Sequence, residues 1–257
     1  MPSQFILGLI TATFIGGIAG YLGSLMISKR MALVGGPLGH LALPGVALSL
    51  IYHYNIFLGA LLSISLGAVI IWWLKTKTAL SIEALTGLVF AAGVALGFVI
   101  LPLSQAEGAL IGDITKVNPT DAVLAVILGL VIFFVIKKIY QKMVLAEISE
   151  DLAKTEGINV KKYNLIYLIS LALMAALEVK IVGTLLTAAL FIIPAAAARN
   201  ISTTLDQYWL GSLIIGIISA VLGMSLSKFS QIPAGPLIIL ANTSIFIISM
   251  LLKSGRQ

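Results

Sequence analysis

The chain has 257 residues, 60% of them hydrophobic and 10% charged, with a formal net charge of +6 and a mean hydropathy of +1.11. A soluble domain carries about 25% charged residues, so this chain cannot cover a water-facing surface, and a soluble enzyme is excluded. It has no cysteine, which excludes disulfides and thiolate metal sites.

The apolar residues fall in blocks about twenty residues long, the length that crosses a hydrocarbon core of ~30 Å at about 1.5 Å per residue. In lipid such a block must be helical, because its backbone has no water to bond. The blocks predict an all-α, polytopic transmembrane bundle of about nine spans in a single domain covering residues 1–257. They run over 5–27, 31–51, 56–74, 82–103, 119–136, 164–177, 181–198, 207–226 and 235–252. The first block is too long for a signal peptide's apolar region and has no basic residues before it, so it reads as a retained helix. Asn118 is placed as an N-cap with Pro119 as the first helical residue, and Pro233, Gly235 and Pro236 open the last span.

Basic residues set the expected orientation. Lys29, Arg30, Lys75, Lys77, Lys137, Lys138, Lys142, Lys154, Lys161, Lys162, Arg199, Lys253 and Arg256 fall on one side, and only Lys116, Lys180 and Lys228 on the other. The positive-inside rule makes the first side cytoplasmic, which puts the N-terminus outside and the C-terminus in the cytoplasm. The charge of +6 is then a set of membrane anchors and calls for no nucleic acid.

Most loops are short, but about Lys137 to Asn164 makes a polar cytoplasmic excursion. Within it, EISEDLAKTEG predicts a small helix at about 149–157. Ser149 is its N-cap, Glu150 and Asp151 sit at the positive end of the dipole, Leu152, Ala153 and Lys154 follow, and Gly157 suits a left-handed stop. Such a helix is either a capped surface element or a docking element for a cytoplasmic partner.

Ionisable side chains inside a span cost about 2.5–3.5 kcal/mol on insertion scales and mark function. His40 falls near the middle of 31–51, in GGPLGHLALPG, where Gly35, Gly36, Pro37, Gly39, Pro44 and Gly45 disrupt regular helix. Broken helix at membrane depth is tolerated where it is buried in protein or lines a cavity, so His40 is either a core residue or part of a pathway. Glu178, beside Lys180, is expected at the outer face as a local ion pair, with a pathway role as the alternative. Asp113 lies in the outer loop before the fifth span, facing a vestibule or solvent. Glu83 begins the fourth span, and His53, between Tyr52 and Tyr54, belongs to an interfacial belt. Gly16-x-x-x-Gly20 and Gly93-x-x-x-Gly97 allow close helix contact.

The chain contains no phosphate-binding loop, H-E-x-x-H or G-x-S-x-G motif. What remains is a transport path or a scaffold, and an active transport path short of buried carboxylates draws its energy from another subunit. Four stretches then resemble the permeases of ABC-type importers for zinc, manganese and iron. They are SKRMALVGGPLGHLALPGVAL at 28–48, GDITKVNPTD at 112–121, ISEDLAKTEGI at 148–158 together with VKIVGTLLTAALFIIPAAAAR at 179–199, and PAGPLIIL at 233–240.

The resemblance implies a multi-pass permease of a prokaryotic inner membrane. It implies a homodimer whose interface is the metal path, two cytoplasmic ATPase subunits that hydrolyse ATP, and an extracytoplasmic substrate-binding protein. No cofactor is held tightly; the divalent metal ion is the cargo. The helix at 149–157 becomes the coupling helix. Family members place Asp four residues before the histidine, where this chain has Gly36. Metal then passes a looser site, or Glu178 or Asp113 substitutes, or the substrate differs. Imidazole without the hard carboxylate favours zinc over manganese. The alternatives are a permease for a larger metal chelate and a self-contained secondary transporter.

Overall fold

The computed structural model describes residues 2–100, 118–183, 187–230 and 232–254. Every regular element among them is a helix. α1 spans Pro2–Ser28; a short 3-10 helix at Ala32–Val34 leads into α2 (Gly35–His40) and α3 (Leu43–Ile51). α4 is Ile56–Lys77 and α5 Ile82–Ile100. α6 is Pro119–Ile148, α7 Glu150–Thr155 and α8 Val160–Val182. α9 (Thr187–Ile201), α10 (Leu205–Ser230) and α11 (Ala234–Ser254) follow.

Among the described residues, seven helices are long and apolar enough to cross a membrane: α1, α4, α5, α6, α8, α10 and α11. The remaining two of the nine expected spans are shorter. Gly35–Ile51 is divided into two helices, and Thr187–Ile201 has 15 residues. The expected excursion after Lys137 is largely helix, because α6 continues unbroken to Ile148. At 30 residues α6 is about 45 Å long, well beyond a ~30 Å hydrocarbon core. Its start is fixed as the sequence suggests: Asp121 accepts the Asn118 backbone N–H at 2.8 Å, and Pro119 occupies the first turn, where a missing N–H costs nothing.

α1 is the packing centre, set against α6, α9 and α10. It buries Ile15, Tyr21, Leu22, Leu25 and Met26. Gly16 makes its crossing with α10 possible, since a Cβ there would stand 2.8 Å from the Gly216 carbonyl oxygen. Small residues at such crossings let backbones approach where lipid offers no hydrophobic drive for association. At one end of the bundle, Lys29 pairs with Glu147 at 3.7 Å and Trp72 Nε1 donates to the Lys161 carbonyl at 3.1 Å. Burial pulls the Lys29 ammonium below its ordinary range, while Glu147 pushes it up. At the opposite end, the Lys228 ammonium lies over the Phe5 ring at 5.0 Å.

Candidate functional site

α2 and α3 are one apolar stretch interrupted once. The interruption lies at Leu41 and Ala42, directly after His40, and not at the glycines expected to cause it. Gly35, Gly36 and Pro37 form the first turn of α2, where backbone N–H groups lack helical partners and proline is tolerated. Pro44 stands likewise in the first turn of α3. Gly45 serves packing: a Cβ on it would run into the Gly59 carbonyl oxygen of α4, and one on Gly59 into that of Gly45.

Neighbouring helices hold the interruption open. The Ser63 hydroxyl of α4 donates to the Leu41 carbonyl at 2.6 Å, satisfying a backbone acceptor at the interruption. The Leu41 side chain lodges against Gly67 and Gly93, where added Cβ atoms would stand 2.7 and 2.6 Å from its methyls. Gly97 accommodates Leu43 in the same way, at 2.9 Å. The Gly93/Gly97 pair thus seats the broken helix.

His40 ends α2 half-buried, its ring centroid 5.6 Å from that of Phe90 on α5. Gly36 lies one turn earlier on the same face of α2. A Cβ at Gly36 would meet only Ala188 Cβ, at 3.6 Å, an ordinary contact, so packing there does not demand glycine.

Glu178 departs from expectation. It does not stand at the end of a span: α8 continues helical through Val182, and residue 178 lies on the packed side beside Ala175, Ala176 and Val179. Glu178 is fully buried, and neither carboxylate oxygen has a hydrogen-bond partner. An unpaired buried carboxylate is costly, and inside a membrane protein it marks a place where a proton or cation is expected. Asp113 lies outside the described residues. Asn242 of α11 is equally buried with both amide atoms unpartnered. Its signal in the sequence is an uncharged amide within an apolar span, weaker than that of an ionisable group. Among the described residues no three His, Cys, Asp or Glu side chains stand close enough to enclose a metal ion.

Beyond α6, α7 is built by local chemistry. Ser149 Oγ accepts the Leu152 N–H at 3.2 Å, and Gly157 closes the segment at φ +71°. Lys154 pairs with Glu150 at 3.0 Å and Asp151 at 3.7 Å, which holds its ammonium above the ordinary range. Ala153 is fully buried beneath the helix, whereas Ile148 and Leu152 are 77% and 49% exposed beside the open Asp151 carboxylate. Exposed apolar groups beside acids on a short rigid helix are suited to docking a protein.

Residues 3–253 match the ABC 3 transport family. The high-affinity zinc uptake system membrane protein ZnuB of Haemophilus influenzae is 31% identical, over 94% of this chain and 95% of that protein. The manganese import system permease protein ScaB of Streptococcus gordonii is also 31% identical, over 97% of this chain and 91% of its own length. The solved structure of PsaBC from Streptococcus pneumoniae in complex with Fab contains a chain 30% identical to this one. It superimposes with a TM-score of 0.82, covering 97% of this chain and 95% of that one.

Proposed function

Since the chain belongs to the ABC 3 transport family, as a multi-pass membrane permease, we propose that it carries a divalent transition-metal ion inward, zinc first. In this reading the basic end of the bundle faces the cytoplasm, which puts the N-terminus outside and makes α2–α3 and α9 the eighth and ninth membrane-embedded segments. Two copies form the path, two ATPase subunits dock on the cytoplasmic side, and an extracytoplasmic binding protein delivers the ion.

The observation that carries this reading is the environment of His40. Its imidazole ends a helix at the one interruption within an apolar stretch, half-buried, and Gly36 leaves room where a carboxylate could stand. Relatives of equal identity are named for zinc and for manganese, so kinship does not choose the metal, and the preference for zinc rests on ligand chemistry. A neutral imidazole without a hard carboxylate suits zinc, and manganese favours oxygen. Glu178 is the second station, where an approaching cation compensates an otherwise unpaired carboxylate. α7 is the coupling helix: Ser149 and Gly157 fix its ends, Ala153 anchors it, and Glu150, Asp151 and Leu152 meet the ATPase. It acts as a lever between inward- and outward-facing states.

Uptake of zinc, manganese and iron by the reconstituted complex, compared among wild type, His40→Ala and Gly36→Asp, tests the proposal. Zinc uptake by wild type, its loss in His40→Ala and a gain of manganese in Gly36→Asp are expected. Wild-type uptake in His40→Ala returns that residue to a packing role. If no protein moves a free ion, the cargo is a larger chelate.

A further inference from the structure

Two openings lie one above the other between α1, α6 and α10. The deeper one is a crevice of about 220 Å³ lined by Thr13, Gly17, Ile18, Leu130, Phe133 and Ile217. Its single hydroxyl group is already engaged, since Thr13 donates to the Leu9 carbonyl at 2.6 Å. The crevice therefore presents hydrocarbon alone. The second opening, about 170 Å³, lies toward the basic end and is lined by Tyr21, Lys137, Gln141, Asp206 and Trp209.

The aromatic side chains join the two. Phe133 lines the crevice, and its ring lies 5.2 Å from that of Tyr21 and 6.4 Å from that of Trp209, both in the second pocket. The depths fit a lipid monolayer. Lys137 is about 27 Å along the helix axis from Pro119, at the edge of a ~30 Å core, and Thr13 precedes Tyr21 by about 12 Å. Tyrosine and tryptophan beside a lysine at that level are the ordinary furniture of a membrane interface. A pocket that also carries a carboxylate is not. Asp206 accepts the Trp209 indole N–H at 3.0 Å, and Lys137 reaches back over the Phe133 ring at 5.8 Å. No ion pair joins Lys137 to Asp206 among the described residues, so one pocket offers a cation and an anion to a guest.

We propose that this groove holds one phosphatidylethanolamine molecule from the adjoining leaflet, one of its two acyl chains in the crevice, its phosphate at Lys137 and its ammonium at Asp206. Charge complementarity selects the headgroup. A purely anionic lipid leaves Asp206 facing phosphate without a counter-charge, and a choline headgroup has no N–H to donate to it. The guest wedges α6 to the α1–α10 pair, and α6 is the helix that runs on to α7.

The test is native mass spectrometry of the full chain in detergent, exchanged against equal amounts of phosphatidylethanolamine, phosphatidylglycerol and phosphatidylcholine. One retained phosphatidylethanolamine per chain, in preference to the other two, is expected. Lys137→Gln, a change at an exposed position, should lower its occupancy about fivefold. Leu130→Trp, which fills the crevice, should abolish it, while Leu66→Trp on the exposed face of α4 leaves it intact. Asp206→Asn should remove the preference over phosphatidylglycerol. Equal occupancy by all three lipids overturns the proposal, as does an adduct indifferent to both Lys137→Gln and Leu130→Trp. Dimers free of lipid overturn it too, because a second copy then covers the groove.

Discussion

The chain stops a helix at two instructive places, after His40 and at Ser149, and holds them open by opposite means. At Ser149 the means are local. A serine caps the next helix at 3.2 Å, acids occupy its first turn, and a glycine at φ +71° ends it. At Leu41–Ala42 neither helix end has a side-chain cap. The acceptor there is satisfied by Ser63 and the side chain is received by Gly67 and Gly93, from α4 and α5. Water can repair a helix end outside the membrane, so a few local residues suffice there. In lipid the repair must come from neighbouring helices, which makes the inner interruption a tertiary feature and a place where distant helices sense its position.

Breaking the contrast at its strongest point means attacking the seat of the inner interruption. Gly45→Leu sets a side chain against the Gly59 backbone, which cannot turn aside. It should cost about 3 kcal/mol, the upper part of the usual overpacking range. A thermal melt of the detergent-solubilised protein checks this. A melt within a degree of wild type would mean that α3 and α4 separate freely, and that the inner break does not depend on close packing.

The outer region answers in function and not in stability. Replacing Asp151 and Leu152 together by alanine removes exposed groups and leaves the buried Ala153 anchor in place. The fold should survive while uptake falls about tenfold, within the usual 5- to 150-fold range of coupling between sites. ATPase activity of the complex measured beside uptake separates uncoupling from dissociation. Unchanged uptake per ATP hydrolysed removes α7 from the mechanism.

A finer probe of the inner break is Ser63→Ala, which strands the Leu41 carbonyl. Hydrogen bonds between membrane helices contribute about 1 kcal/mol or less, so the melt should shift modestly. Metal uptake should fall more than the melt does, because the hydroxyl fixes the residue next to His40. Equal losses in both would reduce Ser63 to a packing contact.

The same division decides what could be read in advance. Apolar block length locates the seven long helices of the described residues, because lipid fixes that length whatever the packing. The α7 caps were legible residue by residue, because Ser149, Glu150 and Gly157 act on their own neighbours. The position of the inner break was not. A run of glycine and proline in GGPLGHLALPG indicates that a break is near, yet Gly35 and Pro37 open a helix and Gly45 packs against Gly59. Ser63, Gly67 and Gly93, which place the break, are far away in sequence. Glu178 was misplaced for a related reason. A charge after an apolar block suggests a span end, whereas α8 continues past it, and only the packing around α8 reveals a buried carboxylate.

The smallest expected effect isolates the local logic of the outer stop. Ser149→Ala removes the oxygen that accepts the Leu152 N–H, and a lost N-cap costs about 1 kcal/mol. Ser149→Gly loses the same oxygen, yet glycine leaves the freed N–H open to water, and the cost falls to about 0.3 kcal/mol. Hydrogen exchange across 150–155 should therefore quicken in the alanine variant and barely change in the glycine variant. Uptake should follow the same order if α7 acts as a rigid lever, because fraying the helix loosens the link between ATPase and permease. If glycine instead harms uptake as much as alanine while exchange stays slow, Ser149 touches the ATPase directly, and the cap is only part of its role.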